Sequence, residues 1–136
     1  MINLFNGKLL NSFANKTAIK VICGLEEMNI MQIIKLVKAA ELSGATYLDI
    51  AANTRIITIV KSLTNLPICV SSIDPLELYN SVLVGADIVE IGNFDIFYKR
   101  YMNFSVDCIL KLAEKTRTLI VDKDICVTIP HLLSLS

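Results

Sequence analysis

The chain has 136 residues, of which 54% are hydrophobic, and its 13 basic side chains balance its 13 acidic ones. This length accommodates one domain or part of one. Because the charge is balanced and no basic cluster is present, we expect neither nucleic acid nor an anionic membrane surface as a partner. The longest uncharged stretches, 62–73 and 125–136, have 12 residues each, which is too few to span a bilayer.

The first 17 residues have apolar side chains at loosely helical spacing, without the uninterrupted apolar stretch of a secretory signal. We predict that they form a short lid helix under a barrel or sheet. Residues 18–136 then supply βα units, so that 1–136 is one incomplete domain. Five apolar runs are typical of buried parallel strands: 18–24, 45–53, 67–73, 86–93 and 124–130.

Helical patterns separate these runs. Residues 30–40 place Ile and Val at i, i+3, i+4 and i+7, and Asn29 with Gln32 resembles a capping box before them. Asp74 is a natural N-cap, and the glycines at 44 and 85 are natural helix stops. Two further helices are predicted over 54–63 and 105–115. Every crossover is long enough for a helix, which predicts a parallel sheet.

A ten-residue segment, 44–53, recurs in related form at 85–94. In both copies Gly-Ala leads into an apolar run that a carboxylate interrupts, Asp49 in the first and Glu90 in the second. Carboxylates are almost never fully buried unless they are paired. The repeat therefore predicts a polar interior shared by two equivalent strands.

Two architectures have this alternation of strands and helices. One is a parallel (β/α)8 TIM barrel, truncated to about five βα units, and the other is an open, five-stranded, flavodoxin-like sheet. The sequence stops six residues after the fifth run, where a helix should cover the strand. We therefore favour the truncated barrel.

Several blocks taken together resemble the plastid hypothetical reading frame family numbered twenty-three (ycf). They are 20–25 (KVICGL), 44–53, 65–75 (NLPICVSSIDP), 85–93 and 126–131 (CVTIPH). The resemblance implies a TIM-barrel protein of the plastid stroma, nearly twice this length, whose N-terminal half this chain matches. It implies no particular activity. Residues 85–93 also resemble the second-strand motif of tryptophan synthase alpha subunits, in which the equivalent glutamate is catalytic.

Glu90 and Asp49 are the candidate catalytic residues, as general acids or bases. Period-two alternation places both on the face opposite the strand aliphatics, towards a barrel interior. The alternative is a mid-barrel ion pair with Lys20. Lys20 could instead form a Schiff base, although such a lysine is expected nearer the C-terminal end of a strand.

Three further residues are candidates for substrate binding because they follow strand ends, where barrels bind ligands: Ser72, Asn93 and His131. Ser72, with Ser71 beside it, could donate to an anion, and His131 is the one histidine of the sequence, a residue type suited to acid–base chemistry or substrate contact. Asn53 is better explained as a helix cap. No glycine-rich phosphate loop is present, so the sequence names no cofactor.

Four cysteines, Cys23, Cys69, Cys108 and Cys126, include no Cys-x-x-Cys pair. Because three of them stand in predicted strands, we expect buried, reduced thiols. A metal site requires closer ligand spacing and more than one histidine, so none is predicted.

Three functional interpretations remain open. The first is part of a lyase, aldolase or isomerase that acts on a small metabolite, phosphorylated or not. The second is a non-catalytic stromal binding or assembly protein, in which the carboxylates form internal ion pairs. The third is an inactive truncated product. Five barrel strands without closure leave the first and fifth as unpaired edges, so we predict self-association of the isolated 136-residue chain.

Overall fold

The computed structural model describes residues 3–23, 29–92, 94, 104–131 and 133. Its strands are β1 (Lys20–Ile22), β2 (Tyr47–Ala51), β3 (Ile68–Ser72), β4 (Ile88–Ile91) and β5 (Asp124–Val127). Its helices are α1 (Gly7–Ala14), α2 (Ile30–Leu42), α3 (Thr54–Leu63), α4 (Pro75–Leu83) and α5 (Val106–Leu119). Each strand lies within one of the predicted runs. None of the described helices combines the length and the apolar composition needed to cross a bilayer.

Helix starts follow the capping residues in the sequence. Asn29 and Gln32 form the predicted capping box at α2, and the Asp74 carboxylate accepts the first hydrogen bond of α4. The Asn53 Oδ1 accepts from two backbone N–H groups at the start of α3, which confirms that residue as a cap. Gly44 and Gly85 have φ of 76° and 117°, a conformation that glycine adopts without steric cost.

The strands pair in parallel in the order β1-β2-β3-β4-β5. A flavodoxin-like sheet has the order 2-1-3-4-5, so that alternative is wrong. Consecutive neighbours in chain order are the arrangement of a singly wound barrel. The described part of the chain therefore forms five strands of an α/β barrel with a helix in each of the four connections between them, and it is open between β1 and β5.

The outer face of the sheet is aliphatic and lies against the helices. Leu48, Ile50 and Val89 are fully buried there. They pack with helix residues in one cluster, which includes Val37, Ile57, Val60, Leu78 and Ile109. Burying this much apolar surface is the main term that stabilises the fold.

Helix α1 lies on the other face of the sheet, which we call the inner face. Its Leu9 packs in a small cluster with Cys69 of β3 and Ile88 of β4. The Asp124 carboxylate at the start of β5 accepts hydrogen bonds from the backbone N–H groups of Phe5, at 2.8 Å, and Asn6, at 3.0 Å. These contacts fix the N-terminal segment across β3, β4 and β5.

The four cysteines are free thiols, but only two of them are buried. Cys23 and Cys69 lie in the core, as predicted. The prediction of burial is wrong for Cys108 and Cys126, which are exposed. Cys108 lies in the first turn of α5, and Cys126 lies on β5, beyond which no further strand covers the sheet in the described part of the chain.

Candidate functional site

Three charged side chains from three strands meet on the inner face. The Lys20 Nζ lies 3.0 Å from the Asp49 Oδ2 and 2.5 Å from the Glu90 Oε2. Their side chains are 22%, 5% and 12% exposed, respectively. With the lysine protonated and both acids ionised, one positive and two negative charges leave the cluster with one net negative charge.

The contact between Lys20 and Glu90 requires a curved sheet. β1 and β4 are three strand spacings apart, which is about 14 Å on a flat sheet with strands about 4.8 Å apart. Side chains that stand straight up from such a sheet would not meet. They converge because the sheet curls towards the inner face, as the wall of a barrel does.

The Asp49 carboxylate is the most enclosed member of the cluster. The Ser71 hydroxyl on β3 lies 3.0 Å and 3.1 Å from its two oxygens and donates to this carboxylate. Burial raises the pKa of Asp49 above its ordinary value, and this effect outweighs the opposing attraction of the Lys20 ammonium. Asp49 therefore takes up a proton more readily than an exposed aspartate.

Lys20 is held in its charged form. Burial alone would lower its pKa, but hydrogen bonds to Glu90 and Asp49 and the charges of both acids outweigh burial and raise the pKa. A nucleophilic amine must be unprotonated at the working pH. The arrangement therefore favours Lys20 as a fixed cation rather than as a Schiff-base lysine.

Glu90 is held at both of its oxygens. Thr128, one residue beyond the end of β5, donates to its Oε1 at 2.6 Å, and Lys20 contacts its Oε2. A Cβ built on Gly92 would lie 3.1 Å from both the Glu90 Oε1 and the Thr128 Oγ1. The missing side chain at 92 thus makes room for this hydrogen bond.

The cluster has donor atoms that could ligate a metal. Asp49, Cys69 and Glu90 offer one atom each, and these atoms lie within 4.8 Å of one another. The Lys20 ammonium, however, is already in contact with both carboxylates and would repel a second cation at the same point. Burial and the charges of Asp49 and Glu90 also raise the pKa of the Cys69 thiol, which disfavours the thiolate that a metal requires. The chemistry of these residues favours an internal ion pair over a metal centre.

Lys20, Asp49 and Glu90 are the predicted site residues that the structure brings together. Ser72 lies elsewhere: its hydroxyl donates to the Glu77 carboxylate at 2.6 Å and accepts from the Asp74 N–H, so it supports the start of α4. His131 is exposed in a turn after β5, and Asn93 lies outside the described residues.

Two contacts in the cluster were missed by sequence reasoning. Thr128 lies in a predicted strand, and Ser71 was paired with Ser72 as an anion donor rather than with Asp49. Both contacts follow from the register between strands, because Ser71 aligns with Glu90 and Thr128 is two residues beyond Cys126, which also aligns with Glu90. Alternation within a strand gives the face of a residue but not this register.

Comparison with known proteins finds relatives over nearly the whole chain. The chain is 51% identical over 134 residues to "Uncharacterized protein ycf23" of Antithamnion sp.. The aligned region covers 98% of this chain and 48% of that protein. The protein of the same name from Pyropia yezoensis is 42% identical over 128 residues, covering 94% and 47%. That from Cyanidium caldarium is 39% identical, covering 98% and 53%. The chain spans about half the length of these relatives.

Solved structures share the fold at low sequence identity. A Coccidioides immitis protein described as a deoxyribose-phosphate aldolase matches with a TM-score of 0.58 at 15% identity, over 81% of this chain and 47% of that one. Methylornithine synthase matches with a TM-score of 0.55 at 16% identity, over 88% and 46%. These similarities support the barrel arrangement and carry no information about chemistry.

A family described as "Protein of unknown function (DUF561)" matches residues 4–136. The match and the named relatives agree with the resemblance found in the sequence. The chain therefore belongs to the DUF561 family, and the ycf23 proteins are its relatives.

Proposed function

We propose that this chain supplies the first five βα units of a plastid barrel enzyme that transfers a proton on a small carbonyl metabolite, in the lyase, aldolase or isomerase class. Glu90 is the proposed general acid or base, with Asp49 as the second candidate. Lys20 orients both carboxylates. The name ycf23 of the relatives, that of a plastid reading frame family, supports a location in the plastid stroma.

One observation carries the proposal: a lysine bridges two carboxylates on the concave face of the sheet. Removing two acids from water costs several kcal/mol each, and stability alone would be served as well by aliphatic residues. The Glu90 Oε1 is oriented towards Thr128, beyond the end of β5. That is the end of the strands at which barrels bind their substrates.

The second candidate is a non-catalytic binding or assembly protein, and a specific observation favours it. Each of the four carboxylate oxygens of Asp49 and Glu90 has a protein hydrogen-bond partner or ion-pair partner. A satisfied network of this kind can serve rigidity alone.

The test is exchange of solvent deuterium into dihydroxyacetone and dihydroxyacetone phosphate, followed by mass spectrometry. Deuterium exchange requires only that the protein removes and returns a proton next to the carbonyl group, so a complete reaction need not occur. The 136-residue chain and the Antithamnion relative are both measured. We expect exchange by at least one of them, and a loss of about 100-fold or more in Glu90→Gln, since general acid–base catalysis contributes about that much.

The Glu90→Asp variant distinguishes a loss of activity from a loss of folding. It keeps the negative charge, but its shorter side chain extends less far towards Thr128. We expect it to fold and still lose exchange. Asp87→Asn is the matched control, since Asp87 lies outside the cluster, where it pairs with Lys61 and is 28% exposed, and an asparagine oxygen can still accept from the Ile68 N–H. Absence of exchange in both proteins, or full exchange by a folded Glu90→Gln variant, would overturn the enzymatic proposal.

A further inference from the structure

We propose that the open side of this half-barrel binds the βα units that form the remaining half of the longer family proteins, in preference to a second copy of this chain. The open side comprises the free edges of β1 and β5 and the groove between α5 and β5. This inference concerns assembly and does not depend on the proposed chemistry.

The groove is lined by apolar side chains alone. It encloses about 320 Å³ between Val106 and Leu110 of α5 on one side and Val127, Ile129 and Leu133 on the other. Val106, Leu110 and Ile129 are each more than half exposed, at 51%, 55% and 57%. Val106 and Leu110 are four residues apart and therefore lie on one face of the helix. An apolar helix face of this kind is left for another element to cover.

The packing of the other helices indicates which element this is. α2 packs against α3, α3 against α4, and α4 against α5, in chain order along the outer face. A further βα unit continues the same series, because connections in such folds are right-handed and place each helix beside the previous one. The helix after β5 must then lie against α5, where the groove is.

In the part of the chain that the structure describes, the outer edges of β1 and β5 are also left without a partner. β1 pairs with β2 and β5 with β4, and within the described residues neither strand has a neighbour on its other side. Ile22 on β1 is 60% exposed. Edge strands that stay free in solution are commonly protected by exposed charges. The charge of Lys20 is instead directed onto the inner face, where it pairs with Glu90.

The number of strands indicates what binds to the open side. Two copies of this chain would bring ten strands together, whereas a TIM barrel has eight, so three more strands complete it. The relatives are about twice as long as this chain, which leaves enough sequence for those three units.

The test is co-expression of the tagged 136-residue chain with the untagged part of the Antithamnion relative that lies beyond the matched region. We expect the untagged segment to be retained with the tagged chain, and light scattering to give the mass of a 1:1 complex. Amide hydrogen exchange of β5 should slow in the complex, because its free edge becomes paired.

Leu110→Glu places a carboxylate in the groove and should lower retention of the segment about tenfold or more, since an unpaired charge is costly to bury. Leu83→Glu is the matched control, because Leu83 is also an exposed helix leucine but lies outside the groove. Retention should be unchanged in that variant. Failure to retain the segment, equal retention by Leu110→Glu, or a homodimer whose mass the segment leaves unchanged would each overturn the proposal.

Discussion

On the outer face of the sheet, β2 and β4 present Leu48, Ile50 and Val89 to the helices, whereas on the inner face the same two strands present Asp49 and Glu90. The outer face is stabilised by the burial of apolar surface area and by close packing, and many combinations of aliphatic side chains can provide both. The inner face depends on particular partners at particular distances. Adjacent residues of one strand therefore serve different purposes, apolar packing on the outer face and a polar network on the inner face. Substitutions on the two faces should lower stability by different mechanisms.

The largest loss is expected from the outer face. Leu48→Ala should lower the free energy of unfolding by about 3–5 kcal/mol, because Leu48 is fully buried and its truncation leaves a cavity. Urea denaturation followed by circular dichroism measures this loss. Leu42→Ala, at a position 90% exposed, is the control and should change stability by less than about 0.5 kcal/mol. Similar losses in both variants would contradict the described core.

The next largest loss is expected at the inner cluster. Lys20→Met should cost about 2–3 kcal/mol, because it leaves two enclosed carboxylates facing each other; partial exposure of the lysine reduces the figure for a fully buried pair. Lys61→Met breaks the exposed pair with Asp87 and should cost less than about 1 kcal/mol. Adding Asp49→Asn to Lys20→Met should restore part of the lost stability. A Lys20→Met variant as stable as Lys61→Met would show that the cluster is not enclosed.

A smaller effect tests the fit around Glu90. Gly92→Ala should cost about 1–2 kcal/mol, because the new Cβ meets the Glu90 and Thr128 oxygens at 3.1 Å. In a Thr128→Val background the same substitution should cost less, since the hydrogen bond that it disturbs is already gone. Gly7→Ala, where a Cβ meets nothing within 4 Å, is the control. Additive losses in the double variant would argue against coupling between Gly92 and Thr128.

The smallest effect is on pH dependence. The pKa of Lys20 is raised in the folded chain, so its stabilising contribution is fully present below the ordinary value of 10.5 and is lost as the pH rises through the folded value. The stability difference between the native chain and Lys20→Met should therefore be constant from pH 8 to about 10 and shrink above it. Urea titrations at pH 8, 10 and 11 measure this difference. A difference that shrinks already below pH 9 would contradict the raised pKa.

The elements and their order could be predicted from the sequence because the signals for them are local. The strands are short apolar runs, and Asn29, Asn53 and Asp74 mark helix starts through bonds to residues two or three positions away. The two carboxylates could also be assigned to one face, since strand parity is local as well.

What could not be predicted depends on the curvature of the sheet and on its edges. The sequence named Lys20 as a partner, but only the curled sheet brings it to both Asp49 and Glu90. The exposure of Cys126 follows from what lies beyond β5, and no pattern within the strand reports that. The role of Ser72 could not be read from the sequence either, because helix capping and anion binding both use a hydroxyl at a strand end.

The bonds from the Asp124 carboxylate to the Phe5 and Asn6 amides join residues 119 and 118 positions apart. Contacts of such separation are slow to form, because the entropy of closing the loop opposes them until the intervening chain is ordered. During synthesis α1 is made before its anchor, because β1, β2, β3 and β4 lie between them in the chain. Helix α1 therefore reaches its final position late, after the sheet on which it rests.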